Sequence, residues 1–206
     1  ALPSDIIIGR DVRHQLSDVA NEAIGPQWKL VADPETFKAS HLETDQPELY
    51  LLPSHPHADD ATVLEISQVL ADAPGAVAVG SGTINDLVKR AGELTQTPYV
   101  VLGTAASMNG YASGIAAILS DGLKTTVPAR PPRAIILDTT ILAAAPARLT
   151  QAGLGDLMSK PVSDSDWWLA NALEGSGYST LPSQIVDHAV SEAISAASGL
   201  SSRDPD

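Results

Sequence analysis

Ala76-Val77-Ala78-Val79-Gly80-Ser81-Gly82-Thr83-Ile84-Asn85-Asp86-Leu87-Val88-Lys89 is the stretch that decides the fold. Four small apolar residues form a strand, Gly80-Ser81-Gly82 breaks it, and a helix opens near Ile84. Such a turn aims the unpaired first N–H groups of the helix, and the positive end of its dipole, above the strand end. The usual occupant there is an anion such as a nucleotide phosphate. The glycines are expected to give close backbone approach and positive φ. A plain tight connection is the alternative for an isolated turn of this kind, so the surrounding chain has to decide.

Outward from this turn, strands and helices alternate. Ile6-Ile7-Ile8 is a strand ended by Gly9, and Asp11 to Ala23 has helical spacing through Val12, Leu16 and Val19. Gly25-Pro26 stops that helix, because glycine suits the helix exit and proline cannot continue it. Trp28 to Ala32 is a second strand closed by Asp33-Pro34, and Glu48 to Leu52 a third. Thr62 to Leu70 and Ile84 to Leu94 read as helices, and Tyr99 to Leu102 and Ala134 to Leu137 as strands. The predicted class is α/β: a Rossmann-like, mostly parallel sheet with helices on both faces. After Thr139 the pattern is helical. Residues 1–144 are therefore expected to form a nucleotide-binding domain, and residues 145–206 to open an all-helical one.

Composition supports a packed domain. Apolar residues make up 44% of the 206, enough for a buried core, and aromatics only 4%. The net charge of −13 disfavours a nucleic-acid partner, since phosphate backbones need clustered Lys and Arg. With no cysteine there is no disulfide, thiolate metal site or cysteine nucleophile, and a cytoplasmic location is expected. No stretch approaches the ~20 apolar residues of a membrane span.

Several residues can carry chemistry, each with a plainer alternative. Thr104, Ser107, Asn109 and Ser113 surround one strand end, where open α/β sheets bind ligands; they can equally cap the next helix. Asp156, after Gly153-Leu154-Gly155, sits at an expected helix opening, as an N-cap or as an oxygen ligand to a divalent metal. Lys124 is a candidate phosphate contact or a solvated lysine. Asp33 can receive an adenosine ribose hydroxyl or make an Asp-Pro turn. Ser54-His55-Pro56-His57-Ala58-Asp59-Asp60 reads as a loop, with Asp59 or Asp60 starting a helix, rather than as a metal site. His188, on a helix expected from Ser183 to Ala197, reads as a surface residue.

Gly80-Ser81-Gly82-Thr83-Ile84-Asn85-Asp86, Thr104-Ala105-Ala106-Ser107-Met108-Asn109-Gly110-Tyr111-Ala112-Ser113, Asp121-Gly122-Leu123-Lys124 and Gly153-Leu154-Gly155-Asp156 follow one another in order. In this the chain resembles the sn-glycerol-1-phosphate dehydrogenase family, grouped with glycerol dehydrogenase, the iron-containing alcohol dehydrogenases and dehydroquinate synthase. The resemblance implies a Rossmann-like domain followed by a helical metal-binding domain, with the active site between them. It implies that Gly80, Ser81 and Gly82 take the pyrophosphate of NAD or NADP, with Thr83, Asn85 and Asp86 among the cofactor-binding positions. Thr104, Ser107 and Ser113 would lie near the nicotinamide, and Asn109 and Lys124 would contact substrate. Asp156 would touch substrate and be the first protein ligand of a catalytic zinc or other divalent metal. The implied reaction is reversible hydride transfer between NAD(P)H and dihydroxyacetone phosphate, or a related polyol or ketone.

Two departures stand out. The family usually has Asp at the position of Asn109, and Asn can neither carry negative charge nor take a proton. The family also completes its metal site with two histidines further downstream, and His188 matches neither. The expectation is therefore an inactive fragment lacking the C-terminal half, with Asp204-Pro205 starting a further helix. The exposed cleft face of such a fragment would favour a homo-oligomer. A dehydroquinate-synthase-like lyase and a non-catalytic nucleotide-binding module are the alternatives. Twelve Lys and Arg in all are few for the lyase's multiply anionic substrate.

Overall fold

A computed structural model describes residues 2–43, 48–200 and 202. The core is a six-stranded parallel sheet made of β1 (Asp5–Gly9), β2 (Lys29–Ala32), β3 (Leu49–Leu51), β4 (Ala76–Gly80), β5 (Tyr99–Gly103) and β8 (Ala134–Asp138). The strand order is β1-β8-β5-β4-β2-β3. All residues of β4 and β5 are buried, as strands covered on both faces must be. Their side chains alternate between two cores. Val77, Val79, Val100 and Leu102 pack with α1 (Leu16–Ile24) and with Phe37 of α2 (Pro34–Ser40). Ala76, Ala78, Tyr99 and Val101 pack with α3 (Asp60–Leu70) and α4 (Gly82–Thr95).

The α/β class and the central strands stand as the sequence predicts; the differences are local. The first expected helix begins as a 3-10 turn (Val12–Gln15) before α1. Asp33-Pro34 does not simply close a strand. Asp33 caps α2 by accepting from the Thr36 amide at 2.8 Å, with proline in the first turn, where its missing N–H costs nothing. Asp59 caps α3 in the same manner. Residues 104–129, for which no strand is expected from the sequence, contain an antiparallel hairpin of β6 (Ile115–Ser120) and β7 (Leu123–Pro128). Its two-residue turn holds Asp121 at φ 49° and Gly122 at φ 78°, the left-handed pair that a tight hairpin needs.

From Thr139 the chain is helical: α5 (Thr139–Ala144), α6 (Ala147–Met158), α7 (Lys160–Glu174) and α8 (Thr180–Leu200). Gly153 and Gly155 lie inside α6, so Asp156 stands in the last turn of that helix and not at an opening. A Cβ on Gly153 would come within 2.0 Å of the Ala106 carbonyl oxygen, so this glycine lets α6 rest on the loop after β5. The helix expected around His188 is part of α8, where the imidazole is exposed beside Glu192 at 3.4 Å. The helix start expected at Asp204-Pro205 lies outside the described residues. Among those residues, no helix is long and apolar enough to cross a membrane.

Candidate functional site

The carboxyl ends of β2 and β4 are adjacent, with Ala32 paired to Val79, so Asp33 and Gly80 follow as neighbours on the two strands. The chain leaves β2 through α2 on one face of the sheet and leaves β4 through α4 on the other. A strand-order reversal of this kind opens the crevice where open α/β sheets take ligands. Ser81 precedes α4 and makes no side-chain hydrogen bond to its first turn, so the first amides of this fourteen-residue helix carry no side-chain cap. The expected positive φ at the glycines is not found; neither Gly80 nor Gly82 has one. Gly80 is required for packing instead, because a Cβ there would lie 2.5 Å from Ile84.

Gly82, Thr83, Asp86, Asn109, Lys124 and Asp156 come together around one open cleft of about 550 Å³, joined by His57 and Met108. Five segments build its walls, among them α6 through Asp156 and the loop before α3 through His57. The amino-terminal turns of α4 bring Gly82, Thr83 and Asp86. The loop after β5 brings Asn109, whose backbone N–H donates to Asp156 Oδ2 at 3.0 Å. The hairpin brings Lys124, paired with Leu119. Leu119 in turn donates to the Ala58 carbonyl at 2.7 Å, which docks the hairpin on the loop carrying His57.

Asp156 also accepts from Lys160 Nζ at 3.0 Å. Burial acts to raise its pKa, but the Asn109 amide and the Lys160 ammonium outweigh burial and hold the carboxyl below its usual value. Asp156 is thus an anion at neutral pH with both oxygens engaged.

The remaining predicted residues lie elsewhere. Asp33 sits at the crevice but spends one oxygen capping α2. Asn85 is fully buried, its Oδ1 accepting from Tyr99 Oη at 3.1 Å, so it faces the core behind the cleft. Thr104 is buried, with its N–H bonded to the Gly80 carbonyl at 3.1 Å. Ser107 is half-buried on the loop without lining the cleft. Ser113 is occupied by Lys89, which donates to its Oγ at 3.1 Å.

Two residues of consequence went unassigned in the sequence. His57 stands in the cleft wall, although its histidine-rich segment is a loop as expected. Lys89 is 1% exposed, and burial pushes its pKa down against the opposing pull of Asp86. The signal for Lys89 was present, since it falls one helical turn after Asn85 and one before Gly92 on the buried side of α4.

A metal centre is a different matter. Among the described residues no three His, Cys, Asp or Glu side chains are grouped to hold an ion, and Asp156 is the single predicted donor. Stable sites use at least three protein ligands, so this donor set does not fit a resident metal by itself.

Residues 7–146 match the family model described as iron-containing alcohol dehydrogenase. The chain belongs to this family. Members with similar sequence include glycerol-1-phosphate dehydrogenase (NAD(P)+) of Bacillus subtilis (strain 168), 30% identical over 204 residues, covering 92% of this chain and 52% of that protein. The protein of the same name from Pyrococcus furiosus is 32% identical over 191 residues, covering 86% and 53%. The chain spans about half the length of the curated relatives it matches.

Solved structures share the family fold. A probable glycerol dehydrogenase from Sinorhizobium meliloti 1021 superposes with a TM-score of 0.66 at 24% identity, covering 77% of this chain and 46% of that one. An iron-containing alcohol dehydrogenase from Thermococcus thioreducens gives 0.65 at 14% identity, covering 76% and 51%.

Proposed function

We propose that this chain carries the nucleotide-binding half of an NAD(P)-linked dehydrogenase that interconverts dihydroxyacetone phosphate and sn-glycerol 1-phosphate. The observation that carries the reading is the convergence of the uncapped amino end of α4 with Asn109, Lys124 and Asp156 on one cleft. The family membership and the names of the similar enzymes support it. The dinucleotide fits these residues. The amides at Gly82 and Thr83 would bind its pyrophosphate, and Asp33 at the neighbouring strand end would accept from the adenosine ribose. Thr104, Ser107 and Ser113 stand along the loop that would meet the nicotinamide half.

Bound NAD(P)H would supply the hydride for the ketone carbon. Lys124 would offset the substrate phosphate, and Asn109 would orient the substrate by donating and accepting hydrogen bonds without taking a proton. Because Asp156 alone is a poor metal donor set, no step is assigned to a metal here. Turnover by this chain by itself is not expected. We place the boundary between the nucleotide domain and the helical domain at residues 144–145, and the protein in the cytoplasm.

Titration of the chain with NADH and NADPH, followed by tryptophan fluorescence or calorimetry, tests the reading. Saturable binding is expected, with NADH preferred because the Asp33 carboxylate repels a 2′-phosphate. No response to either at millimolar concentration overturns it.

A further inference from the structure

Lys89 is the one buried lysine or arginine among the described residues, and the cleft does not use it. Its Nζ donates to the Gly110 carbonyl at 2.9 Å, Ser113 Oγ at 3.1 Å and the Ile115 carbonyl at 3.0 Å. All three acceptors fall within residues 110–115, the end of the loop after β5 and the first residue of β6. Asp86, one turn earlier on α4, stands 3.6 Å from the same ammonium and accepts from the Ala117 N–H at 3.1 Å. Two side chains of α4 therefore grip this segment along its length. Asn109, immediately before Gly110, has its own N–H fixed on Asp156 of α6.

We propose that Lys89 is a positioning residue, whose buried ammonium holds residues 110–115 on α4 and thereby places Asn109 against Asp156 at the cleft. The inference rests on the reading that Asn109 and Asp156 serve the substrate. If packing were all the position required, an apolar side chain of similar length would serve and would avoid desolvating a charge. An ammonium has three donors, and here all three are spent on one segment whose residues 110–113 have no strand partner. A neutral side chain of one or two donors could not satisfy Gly110, Ser113 and Ile115 together.

The test is amide hydrogen exchange, read by NMR on the 206-residue chain and its Lys89→Met and Asp156→Asn variants. Lys89→Met is expected to speed exchange at Asn109 by about tenfold or more beyond any change at Val100 and Val101 in β5. Asp156→Asn is expected to speed Asn109 exchange in the wild type and to add little in the Lys89→Met background, because the two act through one contact. Exchange at Asn109 that rises only in step with β5, or additive effects of the two substitutions, overturns the proposal. If Lys89→Met does not fold, Lys89→Gln supplies the same comparison, and failure of both to fold marks Lys89 as a stability element only. A wild-type chain that ignores NADH removes the dehydrogenase reading but leaves the exchange result standing.

Discussion

Asp138 shows at the residue scale how a single buried carboxylate organises the sheet end. It is fully buried, accepting from the backbone amides of Asp11 at 3.2 Å and Arg13 at 3.1 Å, from the Thr140 amide at 2.9 Å and from the Arg13 guanidinium at 3.1 Å. Burial alone would raise its pKa; the Arg13 and Thr140 partners reverse the sign and hold it below the ordinary 3.8. A lowered folded-state pKa means that the stabilisation is present above the unfolded value and is lost as pH falls through the folded one. Asp138→Asn is therefore expected to lower stability in urea at pH 7 by about 3 kcal/mol and to flatten the acid limb of the stability curve below pH 4. An unchanged acid limb would assign that limb to other carboxylates. Asp33 carries two roles, so Asp33→Ala is expected to weaken α2 by about 1 kcal/mol through the lost cap and also to erase the preference for NADH over NADPH. Parallel urea and nucleotide titrations separate the two effects.

The strand-turn-helix at β4 and α4 works at the element scale through close packing rather than unusual dihedral angles. Gly80→Ala is expected to destabilise the chain by about 1–3 kcal/mol, because the added methyl meets Ile84 inside a fully packed interior. A urea midpoint equal to wild type would show that Ile84 can yield. Gly153→Ala is expected to act differently. Its methyl would strike the Ala106 carbonyl and lift α6 from the loop, so NADH binding and Asn109 protection should fall while the sheet remains folded by circular dichroism.

Across the whole molecule, burial is uneven. The sheet and the elements packed on it contain two continuous cores, whereas α6 and α7 contain no buried residue and α8 buries only Val190. Trp168 is 57% exposed and Leu173 75%. Regions with few buried apolar contacts open at low free energy. Limited proteolysis is thus expected to cut first around Gly175 and Gly177 and then to trim back to a resistant core ending near residue 144. Early cleavage within β4 or β5 would contradict this order. The exposed apolar side chains of α7 and α8 should also make self-association concentration-dependent, measurable by sedimentation.

Hydrophobic patterning along the chain determined the α/β class, the central strands and the turn at Gly80, because period-2 and period-3.6 burial is a local property of covalent geometry. The caps at Asp33 and Asp59 and the Asp121-Gly122 hairpin were equally local. The first of these passed as a strand end because Asp-Pro signals a turn before it signals the helix beyond it, and the last stood only within a motif. Proximity was decided only by the tertiary structure. Asn109 and Asp156 meet because Gly153 lets α6 approach a loop 47 residues earlier, and Lys89 is buried because that same loop folds over α4. Contacts of that range depend on how whole elements pack, and no window of neighbouring residues encodes them by itself.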